Sequence, residues 1–236
     1  MKKILSVLLT LALLLSIAPT AFADTVIDPG EDISLKKVGL NDAQAGVSPT
    51  TGLKLAELEA VDGFAGLAVT GRYMPMLVQI DNTDGGVDKR APWGASYADI
   101  VYETPLYSAG NTRLSFLFSD LIPDSVGPVR SARMGHVWLR EEWDAGFVFY
   151  GQQEYEQTNA KQELSKWRVN GKGLAFSGIV SETKPWKKYY NRRADLPSPH
   201  DVDANVAAMY GLIDPDFEAP NHPFLFTDAL PEGEPA

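Results

Sequence analysis

Residues Arg113–Ser119 alternate: Leu114, Phe116 and Phe118 face one way, Ser115 and Ser119 the other. That two-residue period belongs to a strand with one face buried. Further strand-like runs lie at Met76-Leu77-Val78-Gln79-Ile80, at Ala98–Glu103 and at Gly146–Tyr150. Between them sit helical patterns: Ser131–Trp143, a polar helix-prone stretch at Gln152–Trp167, and a weak repeat over 53–62 through Leu53, Leu55, Leu58 and Val61. Ser198-Pro199 reads as the opening of one more helix, with Pro at its first position and an end near Gly211. Strands mixed with helices, some strands adjacent in sequence, predict an α/β (α+β) fold with a mixed β-sheet flanked by helices in a single main domain.

The chain has no cysteine. Its first residues read as a secretory leader. Lys2 and Lys3 give a positive start, Ile4–Ala18 is an almost unbroken apolar run, and Ala21-Phe22-Ala23 is a small-x-small cleavage site. The apolar run, about 15 residues, is shorter than the roughly 20 that span a bilayer. Residues 1–23 are therefore read as a cleaved signal peptide, with no transmembrane segment after cleavage and an extracytoplasmic destination. An exported chain without cysteine has no disulfides, so packing must hold the fold. Thiol nucleophiles, thiolate metal sites and lipid attachment at a signal-site cysteine are excluded as well.

Cleavage leaves 213 of the 236 residues and moves the formal charge from −10 to −12, because it removes two lysines and no acids. That length suffices for a substantial core. The acidic balance argues against nucleic acid as a partner and against general adhesion to anionic cell wall. Asp24–Val47 is polar with scattered glycines and reads as a linker. Ser48-Pro49-Thr50-Thr51-Gly52 is a turn-rich entry to the folded part, assigned to 48–236, and Pro231–Ala236 reads as a linker-like stop.

The run Gly127-Pro128-Val129-Arg130-Ser131-Ala132-Arg133 places two arginines at a predicted helix start, with Ser131 as its cap. A helix start favours negative charge, so Arg130 and Arg133 make sense there if an anion lands beside them. With Arg113 they are expected to meet Asp81, Asp99 and Glu103 at strand ends in one polar cluster. Two readings stay open: internal ion pairs that fix loops at the sheet edge, or a pocket in which arginines fork onto a carboxylate or phosphate.

Catalysis is the weaker alternative. Asp81, Asp99 and Glu103 are the candidate carboxylates for a hydrolase acting on peptidoglycan or a small ester. Asp99 and Glu103, however, are four residues apart, roughly 13 Å along a strand, beyond the spacing a glycosidase pair uses. Ser131, flanked by arginines and five residues before His136, is the candidate nucleophile, without an assignable orienting acid. Ser177 lacks the Gly-x-Ser-x-Gly elbow. The acids Asp81, Asp84 and Asp88 do not match the calcium-loop spacing. His136, His200 and His222 form no i, i+4 zinc pair and read as helix-start or turn residues. No metal and no cofactor is expected. Trp186–Arg193 is a basic aromatic stretch, either a rim that stacks on sugar or holds an acidic partner, or a loop whose lysine stems cover rings packed on the sheet.

The chain resembles the YerB-like family of bacterial envelope proteins (DUF3048). The matching segments are Ser48–Leu53, Met76–Asn82 ending in Ile-Asp-Asn, Ala98–Glu103, Asn111-Thr112-Arg113, Gly127–Arg133, Pro199-His200 and His222–Phe226. Several features depart from the pattern. The lipid-bearing cysteine is absent, Ser108–Asn111 replaces a glycine pair, and Phe149–Gln153 replaces a histidine-containing segment. A C-terminal partner domain is common in the family, and the sequence to Ala236 is expected to lack it, as a truncated copy or a fragment. The resemblance implies an envelope location and this fold, and no settled activity. The ligand-binding candidates, read from the residues themselves, are Arg113, Arg130, Ser131 and Arg133 with Asn82 and Thr112, and Trp186 and Tyr189 at the rim. The expectation is an extracytoplasmic binding or scaffold module for an anionic cell-wall ligand or envelope partner.

Overall fold

The computed structural model describes residues 46–55, 62–82, 91–106 and 111–220. The signal segment, nearly all of the linker, Asp84, Asp88, His222, the C-terminal stop and the core of the 53–62 repeat lie outside them.

The strands are β1 (Phe64–Ala65), β2 (Met76–Asn82), β3 (Ile100–Pro105), β4 (Thr112–Phe118), β5 (Ile122–Pro123), β6 (Gly146–Phe149), β7 (Ala175–Ser177), β8 (Tyr190–Arg192) and β9 (Val202–Ala204). The helices are α1 (Leu67–Thr70), α2 (Met134–Trp143), α3 (Ala160–Lys166) and α4 (Val206–Tyr210). Five strands form a mixed sheet in the order β3-β4-β2-β6-β7. The predicted architecture is the observed one. β2 and β4 pair antiparallel from Met76↔Phe118 to Asn82↔Thr112, and β3 joins β4 from Ile100↔Leu117 to Pro105↔Thr112. β6 lies parallel to β2 and β7 parallel to β6. Parallel neighbours need a crossover, and α3 supplies the one between β6 and β7.

The pleat sorts the sheet's side chains. Met76, Val78, Ile80, Phe116 and Phe118 form a buried apolar set on one face. The opposite face carries Gln79, Asp81, Arg113 and Ser115, all buried. Helix α2 caps this polar layer, with Trp143 Nε1 donating to the Tyr102 hydroxyl (3.0 Å) and His136 Nε2 meeting Thr104 Oγ1 (2.8 Å). The far end of α2 is closed by buried Arg140, which donates from Nε to the Ala145 carbonyl (2.6 Å) and pairs with Glu141 and Asp144.

Three predicted helices are shorter than their patterns. Helix α2 starts at Met134, so Ser131 is not its cap. Residues 128–132 are extended because their backbone groups bond to neighbouring strands, and Arg133 becomes the cap residue. The Gln152–Trp167 pattern yields helix only over α3, since Gln152 and Glu154 enter β-bridges first and Asn159 caps the helix through Gln162 N–H (3.0 Å). Ser198-Pro199 opens no helix. Val202–Ala204 pairs with β8 instead, and α4 begins after Asn205, whose side chain accepts from Ala208 N–H (2.8 Å). Among the described residues no helix is long and apolar enough to cross a membrane.

Candidate functional site

β2 and β6 pair only over Met76–Val78 and Gly146–Val148. Beyond that they part, and the chain from Pro128 to Ala132 runs into the gap. Arg130 N–H donates to Gln79 O (2.8 Å) and Asp81 N–H to Pro128 O (2.9 Å) on the β2 side. Tyr150 N–H donates to Arg130 O (2.9 Å), and Ala132 N–H to Gly151 O (2.9 Å), on the β6 side. Val129 N–H reaches Val202 O of β9 (2.8 Å). Gly127 is required at the entrance, because a Cβ there would fall on the Trp93 ring and the Val202 carbonyl. The opening, bridged by this segment, lies at the carboxyl ends of two parallel strands, where α/β sheets characteristically present ligand sites.

Asp81 stands at that opening. Its carboxylate is fully buried (0% exposed), while His200 and Arg130 beside it keep 17% and 26% of their side-chain surface. His200 Nδ1 donates to Asp81 Oδ2 at 2.5 Å, and Arg130 Nε lies 3.4 Å from the same oxygen. When Asp81 is ionised its carboxylate only accepts, which places the His200 proton on Nδ1. Nε2 then carries the lone pair, and it has no hydrogen-bond partner among the described residues. The loop carrying His200 is pinned by Arg192, which donates to Asp201 (2.6 Å) and lies 5.4 Å from the Tyr150 ring centroid. Arg113 faces Asp81 across the β2–β4 register.

The remaining predicted residues are dispersed. Arg133 turns back on its own chain, donating to Ser131 O (3.3 Å) and Ala132 O (3.1 Å). With Ser131 it lines a cleft of about 410 Å³, of which Arg130 is not a wall. Ser131 Oγ donates to Tyr150 O (3.1 Å) and is not paired with His136. The imidazole of His136 accepts at Nδ1 from Arg133 N–H (3.1 Å) and is committed at Nε2 to Thr104. Burial, with Arg113 and Arg133 nearby, lowers its pKa to about 3. Ser131 and His136 are thus bonded to other groups and not to each other.

Asp81, Asp99 and Glu103 do not form the expected cluster. Glu103 projects from the other face of the sheet, where its Oε1 accepts from Thr112 Oγ1 (2.6 Å) and Asn82 Nδ2 (3.2 Å). The ligand candidates Asn82 and Thr112 are thus tied to Glu103. Asp99 sits five residues before the position level with Asp81, roughly 16 Å away along the strand direction. There it accepts from Ser119 N–H (2.5 Å), Ser119 Oγ (2.7 Å) and Asp120 N–H (3.1 Å). Its neighbour Asp120 accepts from Ser48 Oγ (2.9 Å), while Thr50 Oγ1 meets Ser119 Oγ (2.8 Å). This second acidic pair fastens the Ser48–Thr51 entry to the far end of the sheet. Burial and the charge of Asp99 raise the Asp120 pKa to about 7.

The basic aromatic stretch packs on the sheet. Trp186 Nε1 donates to Ser177 O (3.0 Å) and its ring meets Phe176 edge-on at 5.6 Å. Lys184 and Lys188 lie over the Trp186 and Tyr189 rings. The residue that sequence reasoning undervalued is His200. Its only signal was its place in the Pro199-His200 match, and its partner Asp81 is 119 residues away.

The family model "Protein of unknown function (DUF3048) N-terminal domain" matches residues 64–215. The Bacillus subtilis (strain 168) protein "Putative lipoprotein YerB" is 30% identical over 197 residues, covering 79% of this chain and 50% of that protein. The crystal structure of YerB protein from Bacillus subtilis matches with TM-score 0.47 and 25% identity, over 67% of this chain and 46% of that one. The chain therefore spans about half the length of the relative it matches. A model match over well more than half of its residues makes this chain a member of the DUF3048 family, carrying that family's N-terminal domain.

Proposed function

We propose that this protein is a binding module of the bacterial cell envelope that recognises an anionic cell-wall ligand or the acidic face of an envelope partner at the β2–β6 opening. The recognising domain is residues 48–236, behind a secretory signal at 1–23. The likeness to a protein named as a lipoprotein supports the location. One observation carries the recognition. Arg130 keeps about a quarter of its side chain in solvent (26%) and is held by an ion pair at 3.4 Å. Among the described residues its guanidinium makes no hydrogen bond. A guanidinium has five N–H donors in a planar fork suited to carboxylate or phosphate. Asp81 also serves His200, so it does not saturate that fork. In its imidazolium form His200 adds a second donor at Nε2.

Calorimetric titration with soluble muropeptides and anionic wall polymers tests this. Arg130→Ala is expected to weaken binding by about tenfold or more, and Arg130→Lys to recover part of it without the bidentate geometry. Equal affinity of a folded Arg130→Ala variant and the wild type removes the proposal.

The Asp81–His200 geometry favours a second reading. A buried carboxylate that fixes the Nδ1 tautomer leaves Nε2 as a general base for water. This replaces the carboxylate-cluster hydrolase, whose three acids the fold separates. Incubation with peptidoglycan should then release fragments in a His200-dependent manner. Absence of turnover after prolonged incubation rejects it.

A further inference from the structure

Trp138 on α2 and Trp167 at the end of α3 are large apolar side chains left 48% and 42% exposed. Both indole N–H groups donate to one oxygen, Glu163 Oε2, at 3.0 and 3.1 Å. A single acceptor thus holds two rings side by side. Each ring has used its only polar atom, so the part it leaves exposed is apolar, with Lys166 over one face of Trp167. Lys166 lies 3.5 Å from the Glu163 carboxylate and 5.5 Å from the Trp167 ring centroid, which answers the carboxylate's charge locally.

The two helices begin at the same end. Gln153 N–H donates to Ala132 O, and Ala160 N–H donates to Gln153 O. The cleft of about 410 Å³ opens at that end, walled by Leu106, Ser131, Arg133, Gln152, Gln153, Glu154 and the exposed Tyr155. Trp138 is five residues from Arg133 along the helix, about 7.5 Å. Two partly exposed indoles, tied at their N–H edges to one carboxylate, thus lie along the helices from a polar cleft that carries hydroxyl, amide, guanidinium and carboxylate groups.

We propose that this track binds a neutral pyranose chain, with C–H faces of the sugar on Trp138 and Trp167 and hydroxyls on Glu163 and the cleft's polar groups. Two isolated rings set among Lys161, Glu163 and Lys166 do not make the continuous apolar stripe that an amphipathic helix or a second copy of the chain requires. A chain of net charge −10 with a locally balanced platform is also poorly matched to an anionic lipid surface. The track is separate from the Arg130 site and does not depend on it.

Chitohexaose is the probe, titrated by calorimetry against the full chain. Trp138→Ala and Trp167→Ala should each raise Kd at least about tenfold, equivalent to about 1.4 kcal/mol, while Trp138→Phe keeps most of the affinity. Both positions are exposed, so circular dichroism and Tm should match the wild type. Arg130→Ala should leave chitohexaose binding unchanged, which keeps this result apart from the anion site. Three outcomes overturn the proposal. One is no binding at millimolar chitohexaose. Another is undiminished binding by both tryptophan-to-alanine variants. The third is a tryptophan-dependent response seen only with phosphatidylglycerol vesicles or as dimerisation in sedimentation.

Discussion

Burial moves Asp120 and His136 in opposite directions. The Asp120 pKa rises from 3.8 to about 7, with Asp99 adding repulsion and bonds from Ser48 and Ser119 opposing it. The His136 pKa falls from 6.5 to about 3, with Arg113 and Arg133 reinforcing burial. Each of these ties stability to pH with its own sign. For Asp120 the folded state binds the extra proton. Its contribution is full below about pH 4 and is lost as pH rises through 7. For His136 the unfolded state binds the extra proton, so its contribution is full above 6.5 and is lost as pH falls toward 3. In the wild type the two oppose one another. Asp120→Asn removes the first and leaves the second. The stability of that variant relative to wild type should therefore improve by at least about 1 kcal/mol between pH 4.5 and pH 7.5, since a tenfold change in proton affinity is worth about 1.4 kcal/mol. Urea unfolding at a series of pH values measures the difference, and a difference that stays constant with pH rules the account out.

At the scale of elements, the sheet depends on pieces that arrive late in the chain. Tyr190 begins β8, and its buried hydroxyl sits 3.1 Å from Phe149 O and 2.5 Å from Phe176 O, at the ends of β6 and β7. Tyr190→Phe deletes the donor that serves both carbonyls and should cost about 1–2 kcal/mol. Gly127→Ala forces a methyl against Trp93 and Val202 and should cost about 1–3 kcal/mol by overpacking. Chemical denaturation reads both, and losses below a few tenths would show that neither contact matters. The same dependence explains what was legible in the sequence. β2, β4 and β6 declare themselves because their apolar residues are patterned locally. The C-terminal end of α2 is also local, set by Asp144 in a left-handed conformation. The start of α2 is not. Ser131 looks like a cap, but its segment bonds to Gln79, Asp81, Tyr150 and Gly151, residues its own neighbourhood does not contain. β9 is likewise a strand only because β8 lies beside it. Arg130 and Asp81 could be suspected of meeting from their charges and strand-end positions. His200 could not be placed with them, because its environment is made entirely by contacts distant in sequence.

Across the whole molecule, Asp99 and Asp120 lie with Ser48 and Thr50 at one end of the sheet, and Arg130 lies beside Asp81 and His200 at the other, level with Arg113. The chain as a whole carries −10. An anionic ligand therefore approaches a repelling molecule and is held only by a local fork. Salt screens these two contributions unequally. Raising ionic strength from about 0.01 M to 0.15 M shortens the Debye length from about 30 Å to 8 Å. That removes the long-range repulsion while leaving a half-buried contact at a few ångströms largely intact. A nucleic-acid type of binder, which works through a general cationic field, loses affinity steeply over the same range. Here the Kd of wild-type protein for an anionic muropeptide should change by less than about threefold, or tighten, between those salt concentrations. Arg130→Ala should weaken binding by about tenfold or more at both. Calorimetry at the two ionic strengths provides the measurement. A steep loss of affinity with salt would instead mean that binding comes from a diffuse cationic surface, which the acidic balance of this chain makes hard to build and which would displace Arg130 from its role.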